Sequence, residues 1–143
     1  MNAGEQFTLV SHVLPEHVSL QMLTRFGHVV FEASGKWLHP LFSLEHFLVT
    51  HPQFLPSDHY LHDRIAGKAA AALTCRLGFV SVKADLISSL ALELYRVRGV
   101  KAVYDKEIER IACQTETLLD TIDDIEQIYT IIENRRNLGK RNG

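Results

Sequence analysis

From His17 the chain alternates, with Val18, Leu20 and Met22 apolar and Ser19 and Gln21 polar; after Arg25, Phe26 and Gly27 the stretch HVVFEAS resumes an extended pattern. Period-two alternation broken by a turn predicts a β-hairpin. Ser34-Gly35-Lys36 predicts the next turn. Pro40 then suits the first position of a helix that carries Leu41, Leu44 and Leu48 on one face. Pro52 and Pro56 mark a loop in HPQFLPSDHY. From about Asp63, Ile65, Ala69, Ala72, Leu73 and Leu77 recur at helical spacing, and Gly78 follows in a C′ position. This predicts a helix that begins near Asp63 and ends before Gly78.

Val80 and Val82 predict a strand over 79–84, followed by a helix near Ser88 with Leu90, Leu94 and Val97 inward and a stop at Gly99. A strand over 100–104 closes the pattern. Two strands joined by one helix run parallel if they share a sheet, because the crossover returns the chain in the same direction. The expected order is ββααβαβ, an α/β arrangement, with a tail beyond it. In that tail Ile111, Leu118, Ile122, Ile125, Tyr129 and Ile132 are spaced by sevens, fours and threes, as in a helix–helix seam. Thr117 and Asp120 match a capping-box-like start, and Arg135 and Arg136 suit the negative end of the helix dipole. The organisation read from this is a loose arm over 1–16, an α/β domain over 17–112 and an acidic helix with a basic tail over 113–143.

A chain of 143 residues has room for one core of ordinary size. With 46% hydrophobic and 22% charged residues it lies far from disordered or collagen-like composition, and no apolar run reaches the length of a membrane span. The first residues place no basic stretch before an apolar run, so export is not expected. Cys75 and Cys113 are the two cysteines, too far apart for a CxxC pair and too few for a four-cysteine zinc site. A reducing cytosol is the expected setting. Residues 1–104 carry nine Lys or Arg against eight Asp or Glu, 105–133 two against nine, and 134–143 four against none. That distribution offers no long basic face, so nucleic-acid binding is not expected.

Two helix starts carry the candidate chemistry. At the first, Asp63 reads as a base or a group that orients a substrate hydroxyl. Arg64, Gly67 and Lys68 accompany it, and free amides at a helix N-terminus attract anions. The same Asp63 also reads as a helix cap, and Gly67 with the alanines as a close approach to a sheet. At the second start, Ser88 and Ser89 follow a strand at the carboxyl edge of the sheet, where ligands of open α/β folds collect; either also reads as an N-cap. All eight histidines fall within the first 62 residues. Asp58, His59, His62 and Asp63 have i, i+3 and i+4 spacings on which a divalent metal could be held, although they match no known metal signature. Cys75 reads as inert core.

The segments GKWLHPL, DRIAGKAAAAL, LISSLALELYRVRGV and KAVYDKEIERI together resemble an uncharacterised prokaryotic domain-of-unknown-function family with a cytidine-deaminase-like fold. The resemblance spans about residues 18–111. Its most specific part is the run Asp63, Arg64, Gly67, Lys68, Ala69, Ala70 and Ala71, supported by the Gly35 to Pro40-Leu41 spacing and by Ser88 before Ala91. The family usually has Lys where Arg64 stands, and its usual ending is replaced here by the acidic helix. The resemblance implies a three-layer α-β-α sandwich with a mixed sheet, an N-terminal antiparallel hairpin, parallel strands and a C-terminal helix.

Zinc deaminases combine H-x-E at one helix start with P-C-x-x-C at the next. The matching segments here read HDRIAGK and DLISSLALE, which lack both thiolates and a correctly spaced Glu. Zinc-dependent deamination is therefore not expected, and neither is a resident cofactor. The leading expectation is a nucleotide-like or other anionic small molecule bound by Asp63, Arg64, Gly67, Lys68, Ser88 and Ser89 at paired helix N-termini. Two other readings remain: a homo-oligomeric interaction module that uses the C-terminal helix, possible as a homodimer, and a metal-dependent hydrolase built on the N-terminal histidines.

Overall fold

The computed structural model describes residues 6–111 and 114–142. Strands β1 (Leu20–Thr24) and β2 (Val29–Ala33) form the expected hairpin, closed by a turn in which Gly27 N–H donates to the Thr24 carbonyl. Helix α1 (His39–Thr50) follows with Pro40 in its first turn, then β3 (His59–Ala66), α2 (Lys68–Leu77), β4 (Ser81–Ser88), α3 (Ser89–Val97) and β5 (Lys101–Ile108). Two further helices, α4 (Gln114–Leu118) and α5 (Ile125–Asn142), complete the chain. The five strands make one mixed sheet in the order β2-β1-β3-β4-β5, with β1 antiparallel to both neighbours and β3, β4 and β5 parallel.

The main departure from expectation lies at DRIAGK. Residues 59–66 are strand, and the helix begins only at Lys68, with Gly67 as an extended N-cap. The spacing of Ile65, Ala69 and Leu73 fits a helix, but the segment before Gly67 gains a neighbour on each side in the sheet. Asp63 sits opposite Leu20 of β1 and Ala84 of β4. Paired on both edges, β3 satisfies its backbone groups without helical bonds, and a glycine at the boundary escapes its penalty inside a helix. The alanine run then supplies helix propensity with little bulk, and α2 ends at Gly78, whose φ of 102° is the left-handed C′ conformation expected there.

Strand alternation divides the sheet chemically. Leu20, Met22, Leu61, Val82 and Ala84 join Leu41 and Leu44 of α1, Ala71 of α2, Leu94 and Tyr95 of α3 and Ile128 and Ile132 of α5 in one core. The other face carries buried polar groups, namely Gln21, His62 and Lys83. Its cover is the N-terminal arm with a short 3-10 turn, Leu9–Ser11. Among the described residues, therefore, the layer beyond the sheet on that side is the arm, where the resemblance implied helices. Phe7 stacks on Tyr60 and lies over Gly27, where an added Cβ would meet its ring at 2.3 Å.

The tail also differs in register from the expected seam. It breaks into α4 and α5, and the fully buried positions are Leu119, Ile128 and Ile132, while Leu118 is exposed. The longer helix starts at Asp124, whose carboxylate accepts from Gln127 N–H at 2.8 Å, rather than at Thr117 and Asp120. The break is bound to α2. Lys68, 3% exposed, extends its ammonium into the turn and donates to the carbonyls of Leu119 (2.8 Å) and Asp120 (3.3 Å) and to Asp123 Oδ1 (2.8 Å). Asp123 lies in solvent, so the two carbonyl bonds carry more of this tether than the ion pair does. Replacing Lys68 with Met should leave those carbonyls without a donor and cost about 2 kcal/mol. Urea denaturation checks the loss, and hydrogen exchange should show faster opening of the turn at 119–124 than of the sheet.

Candidate functional site

At the carboxyl end of β3 the fold leaves a cavity of about 420 Å3, within the ~300–1,000 Å3 range of small-molecule sites. One side is the entry to α1, with Lys36, Trp37 and Leu38 followed by Pro40 and Leu41. The start of α2 provides the other side through Gly67, Ala69 and Ala70. Ser19, Asp63, Arg64 and Ile65 belong to the sheet, and Ile111, Thr115 and Glu116 close the cavity from the C-terminal segment. Most of this lining is apolar. Trp37 holds a φ of 55°, in the left-handed region that bulky side chains rarely adopt, and its ring meets those of His39 and Phe42 edge-on.

Two carboxyl groups reach this apolar space. Burial pushes Asp63 up to about 7; the backbone amide of Ile65 pulls the other way, the charge of Asp85 adds to the rise, and the Arg64 amide opposes it. Burial thus favours the protonated carboxyl, which can donate, far more than at an exposed Asp. Glu116, 2% exposed, accepts from the backbone N–H of Lys68 at 2.6 Å through Oε2, so it closes the first turn of α2 from 48 residues away.

A model of the family described as TM1506, a domain of unknown function (DUF1893), matches residues 13–135. The chain belongs to the DUF1893 family. Among solved structures it is similar to a DUF1893 family protein (TM1506) from Thermotoga maritima, with a TM-score of 0.71 and 23% identity over 94% of this chain and 99% of that one. That is a likeness of fold. No curated protein matches the chain.

Of the residues singled out in the DUF1893 chain, Asp63, Arg64 and Gly67 border the cavity. The guanidinium of Arg64 is engaged elsewhere, since it donates to the carbonyls of Pro15 and Val18 and pairs with Asp85. Lys68 directs its ammonium into the turn after α4. Ser88 caps α3, its hydroxyl accepting from Ala91 N–H at 3.0 Å, and Ser89 donates to Glu107 and to the Ile108 carbonyl. The two helix starts that flank the cavity are thus those of α1 and α2, whereas the sequence pattern pointed to the starts of α2 and α3. Starting the helix at Asp63 instead of Lys68 shifted the pairing by one crossover.

The set Asp58, His59, His62 and Asp63 does not converge. On strand β3 His62 and Asp63 point to opposite faces, and His59 Nδ1 donates to the Leu55 carbonyl at 2.7 Å. Among the described residues no three His, Cys, Asp or Glu side chains come together as a metal site. Burial pushes the Cys75 thiol up to about 11, which leaves it unreactive at neutral pH; Cys113 lies outside the described residues. Of the seam expected in the tail, Ile132 lies in the central core and Ile122 and Tyr129 pack against it, while Leu118 is exposed.

Trp37, Thr115 and Glu116 were not among the residues read as candidates. Trp37 stands within GKWLHPL, beside the turn that opens α1, so its segment was visible though its place at the cavity was not. Glu116 had no such signal, because its partner at Lys68 is distant in sequence.

Behind the cavity, on the arm side of the sheet, His62 is fully buried between two partners. Its Nε2 lies 2.6 Å from Asp85 Oδ1 and its Nδ1 lies 2.7 Å from His12 Nδ1. With a carboxylate as acceptor, Nε2 is assigned the proton, so in the neutral pair His12 Nδ1–H donates to His62. Lys83 fastens the same arm through the carbonyls of Val10 and His12, each at 2.7 Å. Burial lowers the pKa of both imidazoles below the ordinary range; Asp85 opposes this at His62, and Lys83 adds to it at His12.

Two pH effects follow from these groups. A depressed imidazole pKa means that the folded state binds fewer protons than the unfolded chain, so stability declines as pH falls below about 6.5. In His12→Gln this acid-side decline should be shallower, measured by thermal melts from pH 7.5 to 5. Asp63 acts with the opposite sign: its raised pKa makes the fold most favourable with the acid protonated, and that contribution is lost as pH rises through 7. At about 1.4 kcal/mol per pH unit, the loss from pH 4 to pH 8 reaches at most about 4 kcal/mol. Asp63→Asn should therefore gain stability over the parent at pH 8 and match it near pH 4 in urea titrations.

Proposed function

We propose that the cavity binds a nucleotide-like small molecule, with its flat heteroaromatic ring beside Trp37 and its hydrogen-bonding edge at Asp63. The observation that carries this reading is the Asp63 carboxyl, its pKa raised by burial, among the mainly apolar walls of a cavity beside Trp37 at the carboxyl end of a parallel strand. A carboxyl that both donates and accepts complements the mixed edge of a nucleobase, where N–H and acceptor nitrogen or oxygen alternate. Leu38, Leu41 and Ile65 add apolar contact, and Lys36 stands exposed beside them to attract negative charge.

The succession of hairpin, α1, β3, α2, β4, α3 and β5 in one mixed sheet supports the relation to deaminase-like folds drawn from the sequence. The zinc of that chemistry does not fit this site. The start of α1 offers His39, exposed and turned against the Trp37 and Phe42 rings, and the start of α2 offers Gly67 and Lys68. One imidazole without thiolates is not a zinc-hydroxide site, so recognition, and any chemistry, falls to Asp63 and its neighbours.

Trp37 is the single tryptophan of the chain, so its fluorescence reports the cavity directly. Titration with a panel of nucleosides and nucleoside 5′-monophosphates at pH 7 should give saturable quenching and a rise in melting temperature for at least one base. Asp63→Asn should weaken that binding by about tenfold, the equivalent of one lost hydrogen bond to an ionisable group. Absence of any saturable response across the panel at millimolar concentration would remove the proposal.

A further inference from the structure

The N-terminus of α2 meets a group of unusual cost. Glu116 is withdrawn almost wholly from water, yet among the described residues only its Oε2 has a partner, the Lys68 backbone N–H; Oε1 is buried with none. A buried carboxylate oxygen without a hydrogen-bond partner is destabilising. A neutral side chain could have capped the helix without that cost.

The surroundings of the carboxylate are those of an oxyanion seat. α2 is a ten-residue helix whose first-turn amides have no acceptor within the helix, and the helix dipole places partial positive charge at that end. Ala69 and Ala70, the second and third residues of the helix, line the cavity. At Gly67 a Cβ would come within 2.8 Å of Glu116 Oε2, so the glycine allows an oxygen to approach the backbone closely. Glu116 itself comes from α4, five residues long, and so sits on a short element rather than on the sheet.

We propose that the N-terminus of α2 is the seat of the ligand's phosphate, and that Glu116 occupies it as an internal stand-in which the phosphate displaces. This rests on reading the cavity as a ligand site and extends it to the second half of a nucleotide: the base lies beside Trp37 and Asp63, and the phosphate at Lys68 N–H and the amides that follow it. Exchange relieves the unpartnered oxygen, because Glu116 leaves for water as the phosphate arrives. The tether from Lys68 Nζ to the carbonyls of Leu119 and Asp120 keeps the far end of the segment in place while its Glu116 end swings away.

The test compares a nucleoside, its 5′-monophosphate and inorganic phosphate on the parent protein, Glu116→Gln and Glu116→Ala, by Trp37 fluorescence and by amide NMR at Lys68 and Ala69. In the parent the monophosphate should bind more tightly than the nucleoside. In both variants that advantage should grow, by about tenfold in Glu116→Ala, and phosphate should shift the Lys68 amide. Glu116→Gln keeps an acceptor for the Lys68 N–H, so it remains informative if the alanine variant is poorly folded. If nucleosides quench Trp37 but the monophosphate advantage is absent or indifferent to Glu116, the phosphate seat is wrong and the cavity reading survives. If neither nucleosides, nucleotides nor phosphate perturb Trp37 or the Lys68 amide, both fall together.

Discussion

Strand β3 is hydrogen-bonded along both edges, and the rest of the structure depends on that constraint. Pairing with β1 and β4 holds residues 59–66 extended, and extension makes neighbouring side chains face opposite ways. Leu61 and Asp63 turn toward the helices, whereas His62 and Arg64 turn toward the N-terminal arm. One strand thereby supplies the polar group of the cavity and the polar anchors that bind the arm behind it. The two sides remain in electrical contact, because Asp85, the partner of His62, is close enough to raise the pKa of Asp63.

The junction of β3 and α2 gathers three separate parts of the chain. Gly67 ends the strand and frees the space in front of the helix. Lys68, the next residue, gives its backbone N–H to Glu116 and its ammonium to the turn that follows α4. A basic residue next to a glycine at a helix start has the look of an anion-binding pair, yet here the ammonium serves the tail and the amide meets a carboxylate. The distinction between backbone and side chain decides what faces the cavity: the Lys68 amide meets Glu116, and the ammonium only positions the segment that carries that carboxylate.

The arm and the tail close the molecule from opposite sides by different means. The arm adds few buried apolar groups to the sheet and is held by Lys83, Arg64 and the His12–His62 contact. The tail is held chiefly by burial, with Leu119, Ile128 and Ile132 fully enclosed, and by the Lys68 bonds to the turn at 119–123. The arm's imidazole contact titrates between neutral pH and mild acid, whereas the apolar burial of the tail does not titrate.

Much of the architecture was legible in local pattern. Alternation around Met22 marked the hairpin, Pro40 marked the opening of α1, the left-handed Gly78 marked the end of α2, and parallel strands followed from single-helix crossovers. Each is a short-range property: a pleat, a fixed φ, a residue without Cβ, a crossover that reverses direction twice. Asp63 was also singled out, although in the wrong element, because Ile65, Ala69 and Leu73 fit helical spacing as well as they fit a strand running into a helix.

What only the tertiary structure decided was long-range. Whether 59–66 is helix or strand depended on the availability of β1 and β4, and no residue within the segment records that. The pKa of Asp63 depended on how deeply the sheet and helices bury it, and the meeting of Glu116 with Lys68 on a chain reversal through β5 and α4. By itself the sequence determined which stretches turn, which alternate and which groups could ionise; packing decided which of those groups are denied water and which partners they find there, because desolvation and hydrogen bonding act between neighbours in space, whatever their separation along the chain.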